Sequence, residues 1–443
     1  MQNNNYKTEY KDYSGHIAIM ISTDRQILDV HSQTHERMKS YAKLYKELHI
    51  IVFAKPSLGK ESEISISFGD NSQRLKIYST QSKSRFFYIT DAYKIGKKLI
   101  NNFRRQSANT YVGEINTTGK NENKVLPVLI TCQDPFETGI AGLLFGSYIR
   151  KNNRRHDAES INEQKKNLSI SLRPELLLQL HTDVFSPYFS NHSFLNRVRV
   201  LIAKFTIPKA DVVRVVSKKI ADSLVLSGLL NKGVNGDKNL ALELAVKKII
   251  LKPISVDVDY IKNTLPAFNL EDRHPELRQS GGGNTNSGLI EGAKSKIVLM
   301  ISRLEPEKNI EMAIRAFKCV VDESQKNHKD NLFLIIIGDG SLRKKLEKLA
   351  IDLDVSNRVI FTGWVKDQLT LVSYLKGSTI SLVTSWYEGY GMVFKEAEAA
   401  CLKIVSTDVG IAREIGAKIV GHNEDDVCKG IVEGVGVKVF DNK

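Results

Sequence analysis

Cysteine is scarce in this sequence, with four in 443 residues, at 132, 319, 401 and 428. They lie far apart, and no pair has metal-ligand spacing. That excludes a zinc or iron–sulfur framework and predicts buried, reduced thiols in a cytosolic protein. No stretch approaches the ~20 apolar residues of a membrane-spanning helix. The polar N-terminus, MQNNNYKTEYKDYSG, lacks the apolar centre of a signal peptide and reads as an unstructured lead-in. Short-period repeats are missing, which excludes solenoids and propellers. Aromatic residues are not interleaved with the basic runs, so no nucleic-acid partner is expected.

What is present is a globular composition, 42% hydrophobic and 26% charged, on a chain long enough for two domains. The net charge of +14 is one-sided. Residues 1–265 carry 40 Lys and Arg against 25 Asp and Glu, and residues 266–443 carry 24 against 25. A basic first half suits solubility, and it equally suits an anionic partner such as lipid headgroups or a phosphate-bearing acceptor.

Short apolar runs alternate with helical periodicity throughout. In the first half the strands are His16–Ser22, Leu48–Phe53, Leu75–Ser79, Val128–Thr131, Leu176–Leu180 and Val212–Val216, with helices at His35–Leu48, Tyr93–Gln106 and Thr138–Arg150. In the second half the strands are Ile297–Ser302, Leu332–Gly338, Val359–Thr362, Ile380–Val383 and Ile404–Thr407. Helices follow at Ile310–Asp322, Ser341–Leu353, Lys366–Leu375 and Met392–Ala400. This alternation predicts an α/β architecture of two Rossmann-like domains facing each other across a cleft. The expected domains are 1–256 and 257–443, with the Gly/Ser/Asn-rich tract Gln279–Gly288 as an early loop of the second. Asn152–Asn167 reads as a polar surface loop.

Ser193–Phe205 is amphipathic. Phe194, Leu195, Val198, Leu201, Ile202 and Phe205 recur at helical spacing, with Arg197, Arg199 and Lys204 mainly off the stripe. Such a helix either packs its apolar face on its own domain or rests on an anionic membrane surface.

Chemistry is expected where strands end and helices begin. Arg303 follows directly on one strand and Lys308 opens the next helix, a pair of cations suited to a diphosphate. The alternative is a surface Arg and Lys paired with Glu305 and Glu307. Gly338 and Gly340 in IIIGDGSL allow close backbone approach by a ligand, or simply make a tight strand–turn–helix; they are no GxGxxG fingerprint. In TISLVTSWYEGYGMVFKEAEAA, Glu388 lies in a glycine-rich loop. Glu396 falls at the edge of an apolar arc of Val393, Phe394, Ala397, Ala400 and Cys401, where a half-buried carboxylate needs a partner. In the first half His181, Asp134 and Glu137 each follow a strand.

Taken together, SRLEPEKN, IIGDGSL, GWV and SWYEGYGMVFKEAEAA resemble, in order and spacing, the C-terminal domain of glycosyltransferase family 4. QDPFETG, LHTDVFSPYF and PKADVVRVVS resemble its first half less tightly. The resemblance implies a retaining enzyme of GT-B fold whose EX7E motif is Glu388 to Glu396. It implies that Arg303 and Lys308 bind the donor diphosphate, Glu396 the ribose, and Glu388 the transferred sugar. Gly389, Tyr390 and Gly391 match the loop whose amides contact sugar hydroxyls, Gly363 and Trp364 the segment near the nucleobase, and His181 the histidine that approaches the sugar. Asp134 and Glu137 are acceptor-side candidates.

No metal and no cofactor are implied, only a nucleotide diphosphate sugar as co-substrate. The glycosidase type of carboxylate nucleophile is not evident. The sequence departs from the family in lacking a glycine-rich loop after its first strand and in having Ile411 after Gly410. It also ends about 25 residues after the last recognisable unit, so a final crossover helix is expected to be missing. The expected function is sugar transfer to an acceptor hydroxyl on a glycan or lipid-linked acceptor, by a cytoplasmic protein peripheral to the membrane. The rivals are a non-catalytic nucleotide-sugar binder, or an epimerase or phosphorylase on the same fold.

Overall fold

In a computed structural model of the chain, the described residues are 6–9, 11–56, 63–68, 73–118, 125–159, 171–231, 238–277, 295–326 and 331–436. The tract 279–288 lies outside them. Two compact units result: Met1–Phe185 with Ser193–Lys252, and Ser186–His192 with Pro253–Lys443.

Among its described residues the first unit has eight strands: β1 (Ile17–Ser22), β2 (Glu47–Val52), β3 (Glu63–Phe68), β4 (Gln73–Ser79), β5 (Val125–Cys132), β6 (Ser171–Leu180), β7 (Val212–Val215) and β8 (Ile249–Leu251). Their order is β3-β4-β2-β1-β5-β6-β7-β8, parallel except for the antiparallel pair β3–β4. Every residue of β1 is buried, as a strand covered on both faces requires. Among its described residues the second unit has six strands, all parallel: β9 (Lys296–Ile301), β10 (Leu332–Ile337), β11 (Val359–Gly363), β12 (Ile380–Val383), β13 (Lys403–Thr407) and β14 (Lys418–Val420), in the order β11-β10-β9-β12-β13-β14. Its core packs Phe317, Val320, Leu334, Ile336, Leu382 and Ile431 into one cluster. Among the described residues no helix is long and apolar enough to cross a membrane.

Three expectations are corrected. Residues 152–159 are not loop: the helix Glu137–Glu159 runs straight through them, because Arg154, Arg155, Ala158 and Glu159 are good helix formers. Residues 160–167 lie outside the described residues. Cys319 and Cys428 are not reduced thiols but a disulfide. Helix Ile310–Lys326 packs along helix Glu424–Val435, which brings residues 109 apart in sequence to a Cα separation of 6.1 Å. Cys401 is free and exposed rather than part of a buried arc. It follows the helix Met392–Ala399 in a left-handed conformation, φ 59°, so its side chain leaves the face that Phe394 and Ala397 bury.

Candidate active site

The strand order fixes where a ligand crevice lies in the second unit. From β9 the chain proceeds outward to β10 and β11, and from β12 it proceeds the other way to β13 and β14. Loops leaving the neighbouring strands β9 and β12 therefore diverge at their carboxyl ends, the place where doubly wound sheets bind ligands. Arg303 and Lys308 belong to the first of these loops and Glu388 to the second.

The two loops are joined. Lys308 Nζ meets Glu388 Oε1 at 2.5 Å, with both side chains only 14% exposed. Ser385 Oγ donates to the same Oε1 at 2.8 Å. Thr384 Oγ1 is within 3.1 Å of the Lys308 carbonyl and 3.0 Å of that of Asn309, and Trp386 N donates to Glu307 O at 2.9 Å. Asn309 takes a left-handed conformation that ends the turn Pro306–Lys308. Arg303 differs: it is 63% exposed and pairs with Glu307 at 2.7 Å, an interaction worth under about 1 kcal/mol. Glu305 instead accepts from Ser341 N and Oγ at 3.0 and 2.7 Å. A local acidic partner thus accounts for Arg303 but not for Lys308.

Gly338 and Gly340 close the rim of the same unit. Gly338 has φ 135°, and a Cβ there would stand 1.9 Å from Ser302 O; its amide donates to Gly363 O at 2.9 Å. At Gly340 the added atom would stand 2.6 Å from Leu304 O. Gly391 caps the helix Met392–Ala399, and the buried Tyr390 accepts from Ile411 N at 3.2 Å. Glu396 is half-buried on that helix, and burial raises its pKa. Trp364, 65% exposed, lines an open groove of about 790 Å³ with Arg273, Phe361 and Tyr374. Among the described residues no hydrogen bond or ion pair joins Glu396 or Trp364 to the Lys308–Glu388 pair.

Sequence reasoning missed what braces the Glu388 loop. Trp386 and His422 stack with centroids 4.9 Å apart and planes 3° from parallel. Tyr188 lies 4.7 Å from the His422 ring and 5.2 Å from Trp386. Tyr188 comes from the short helix Pro187–His192, which belongs to this unit. His422 Nε2 reaches Ser385 O at 3.3 Å, so the stack fixes the residue whose hydroxyl holds Glu388. Trp386 lay inside the glycine-rich stretch and Tyr188 inside LHTDVFSPYF, neither singled out; His422 carried no sequence signal.

In the first unit the strand order reverses between β1 and β5. Asp134 follows β5. Its Oδ1 accepts from Phe136 N at 2.8 Å, and Thr138 Oγ1 donates to its carbonyl at 2.9 Å, so it also starts the helix Glu137–Glu159. Glu137 lies 3.9 Å from Arg199. His181 follows β6, and its Nε2 donates to Gln179 Oε1 at 3.2 Å, an oxygen that also accepts from Arg214 at 2.7 Å. Among the described residues no hydrogen bond links His181 to Asp134 or Glu137.

Burial, aided by Glu137, pushes the Asp134 pKa up to about 6 against the pull of the Phe136 amide. His181 keeps an exposed edge, yet packing and then the charges of Arg214 and Arg37 lower its pKa to about 4. The two groups act oppositely on stability. Between ~3.9 and about 6 the folded chain keeps a proton on Asp134 that the unfolded chain has lost, so this contribution falls as pH rises. Between about 4 and ~6.5 the unfolded chain binds a proton that the folded His181 refuses, so that contribution is lost as pH falls. Asp134→Asn should therefore make the melting temperature drop more steeply than in the wild type on acidification through this window. His181→Asn should make it drop less steeply. Thermal melts across the window check both signs.

Residues 288–428 match the family model described as Glycosyl transferases group 1. An uncharacterised glycosyltransferase of Methanocaldococcus jannaschii is 32% identical over 142 residues, 31% of this chain and 35% of that protein. The alpha-monoglucosyldiacylglycerol synthase of Streptococcus pneumoniae is 29% identical over 165 residues, 36% of each. The matched regions thus span about a third of the length of these relatives. Among solved structures, an E. coli trehalose-6-phosphate structure bound with UDP-2-fluoro glucose aligns over 95% of this chain and 92% of its own, with TM-score 0.60 and 12% identity. The fold is GT-B, made of two α/β units with parallel-dominated sheets.

Proposed function

We propose that this chain, whose residues 288–428 match group 1 glycosyl transferases, moves a sugar from a nucleotide diphosphate donor to an acceptor hydroxyl with retention at the anomeric carbon. The observation that carries this reading is the Lys308–Glu388 pair, little exposed and set at the carboxyl ends of β9 and β12. In this reading its lysine meets the leaving diphosphate and its carboxylate the sugar. Arg303, exposed beside it, adds a second positive charge. In this reading these two side chains supply the stabilisation of developing charge that a metal ion gives elsewhere.

Glu396 is assigned to the ribose, because a half-buried carboxylate without a partner among the described residues gains from paired hydroxyls. Gly363 and the exposed Trp364 are assigned to the base, and the amides of Gly389, Tyr390 and Gly391 to the sugar hydroxyls. His181 is assigned to the sugar on resemblance alone; its depressed pKa keeps it neutral, an N–H donor rather than a cation, at neutral pH. The acceptor is read as a lipid-linked or membrane-surface glycan, and the relative acting in diacylglycerol glycolipid synthesis supports that class.

The direct test is a thermal-shift titration with UDP-, GDP- and ADP-sugars. One base series should stabilise the protein by about 2.7 kcal/mol at a hundredfold excess over Kd, and that donor should then be turned over. Absence of a shift with every series would overturn donor binding. A shift without turnover in the presence of lipid-linked acceptors would reduce the protein to a nucleotide-sugar binder.

A further inference from the structure

Helix Phe194–Thr206 has its apolar side facing out. It is a regular helix, begun by Ser193 accepting from Asn196 N at 3.1 Å. Yet the residues it buries are Asn196, Ala203 and Thr206, with Thr206 Oγ1 donating to Pro135 O at 2.5 Å. The residues it exposes are Phe194 at 80%, Leu195 at 53%, Leu201 at 66% and Phe205 at 57%. At ~100° per residue, Phe194, Val198, Leu201 and Phe205 share one narrow arc, and Asn196 and Ala203 lie opposite it. A surface helix of a globular protein normally shows the reverse.

The charges flanking this arc say what covers it. Helix Phe194–Thr206 contains no acidic residue, and Arg197 and Lys204 lie exposed along one border. Lys209 holds its ammonium 3.3 Å from the Phe205 ring centroid. Arg199 is turned inward, 5.4 Å from the Phe136 ring and 3.9 Å from Glu137. Two copies of the chain meeting through this face with their helices antiparallel about a two-fold axis would set the Arg197 and Lys204 border of one against that of the other. A bilayer with anionic headgroups satisfies both features, accepting the apolar side chains at the acyl boundary and the cations among the phosphates. The excess of basic residues in residues 1–265 points the same way.

We infer that helix Phe194–Thr206 docks this protein on an anionic lipid surface, with Phe194, Leu201 and Phe205 entering the bilayer interface and Arg197 and Lys204 engaging lipid phosphates. The contact stands on the helix itself; its use, bringing a lipid-borne acceptor to the enzyme, rests on the transferase reading above.

Co-sedimentation of the full chain with phosphatidylcholine vesicles, with and without phosphatidylglycerol, at low and high salt, tests it. The wild type should pellet with the anionic vesicles, and salt should release much of it. L201S/F205S should lower the partition coefficient at least about tenfold with an unchanged melting temperature, since both residues are exposed. R197Q/K204Q should lose most of the salt dependence. A wild type that stays in solution, or an L201S/F205S variant that pellets equally, overturns the inference. So does a dimer seen by light scattering that these serines dissolve. Nucleotide-sugar thermal shifts measured without vesicles report on the donor site separately, so failure of either reading is recognisable.

Discussion

Replacing Lys308 with alanine is expected to lower kcat for sugar transfer by roughly 10²–10³-fold, the usual cost of removing one fixed donor aimed at developing negative charge. Two effects add in the same direction. The ammonium that would meet the leaving diphosphate is gone, and Glu388, 14% exposed, is left without its cation. An unpaired carboxylate beside the diphosphate position then opposes donor binding, so KM for the donor should rise as kcat falls. Lys308→Arg should recover only part of the rate, because a planar guanidinium cannot occupy the position of a compact ammonium held at 2.5 Å. Arg303→Ala should lose less, since Arg303 is 63% exposed and screened. Steady-state kinetics with the donor identified by thermal shift give both parameters. Unchanged kcat and KM in Lys308→Ala would remove the diphosphate role from this residue.

That Lys308 and Glu388 touch was not legible in the sequence, and the reason is physical. Glu305 and Glu307 sit within three residues of Lys308 and are its obvious local partners, whereas Glu388 is 80 positions away. Only the neighbourhood of β9 and β12 decides the matter. The central strands themselves were legible: Ile380–Val383 is a strand in both sequence and structure, because a strand buried on both faces is predominantly apolar, here Ile380, Leu382 and Val383 around a single Ser381. The edges were not. β3, EISISF, alternates half-buried Ile64 and Ile66 with exposed Glu63 and Ser65, and such a short pattern has little apolar content to detect. The helix Glu424–Val435 was missed as well, and with it the Cys319–Cys428 bond. Helix Phe194–Thr206 shows a further limit: periodicity locates an apolar stripe but does not tell whether it faces the core or the solvent.

Gly338→Ala is expected to destabilise the second unit by about 4 kcal/mol, through backbone strain of ~1–3 kcal/mol and a buried hydrogen bond worth ~1–3 kcal/mol. The new methyl would lie 1.9 Å from Ser302 O, a backbone atom with no rotamer to change, at a φ of 135° that alanine avoids. Relieving the clash means moving the turn and stretching the Gly338 N to Gly363 O bond of 2.9 Å that ties β10 to β11. At ~2–4 °C per kcal/mol for a domain of this size, the melting temperature should fall by roughly 10 °C. This result separates two readings of one residue. A glycine present only to let donor phosphate approach would, as alanine, lose donor affinity and keep its melting temperature. Gly338→Ala should lose stability and keep most of its donor affinity, although the backbone amide of Arg303 lies 3.7 Å from the added methyl. Melting curves with and without donor distinguish the cases, because a purely structural defect lowers both curves and leaves the donor-induced shift between them largely intact.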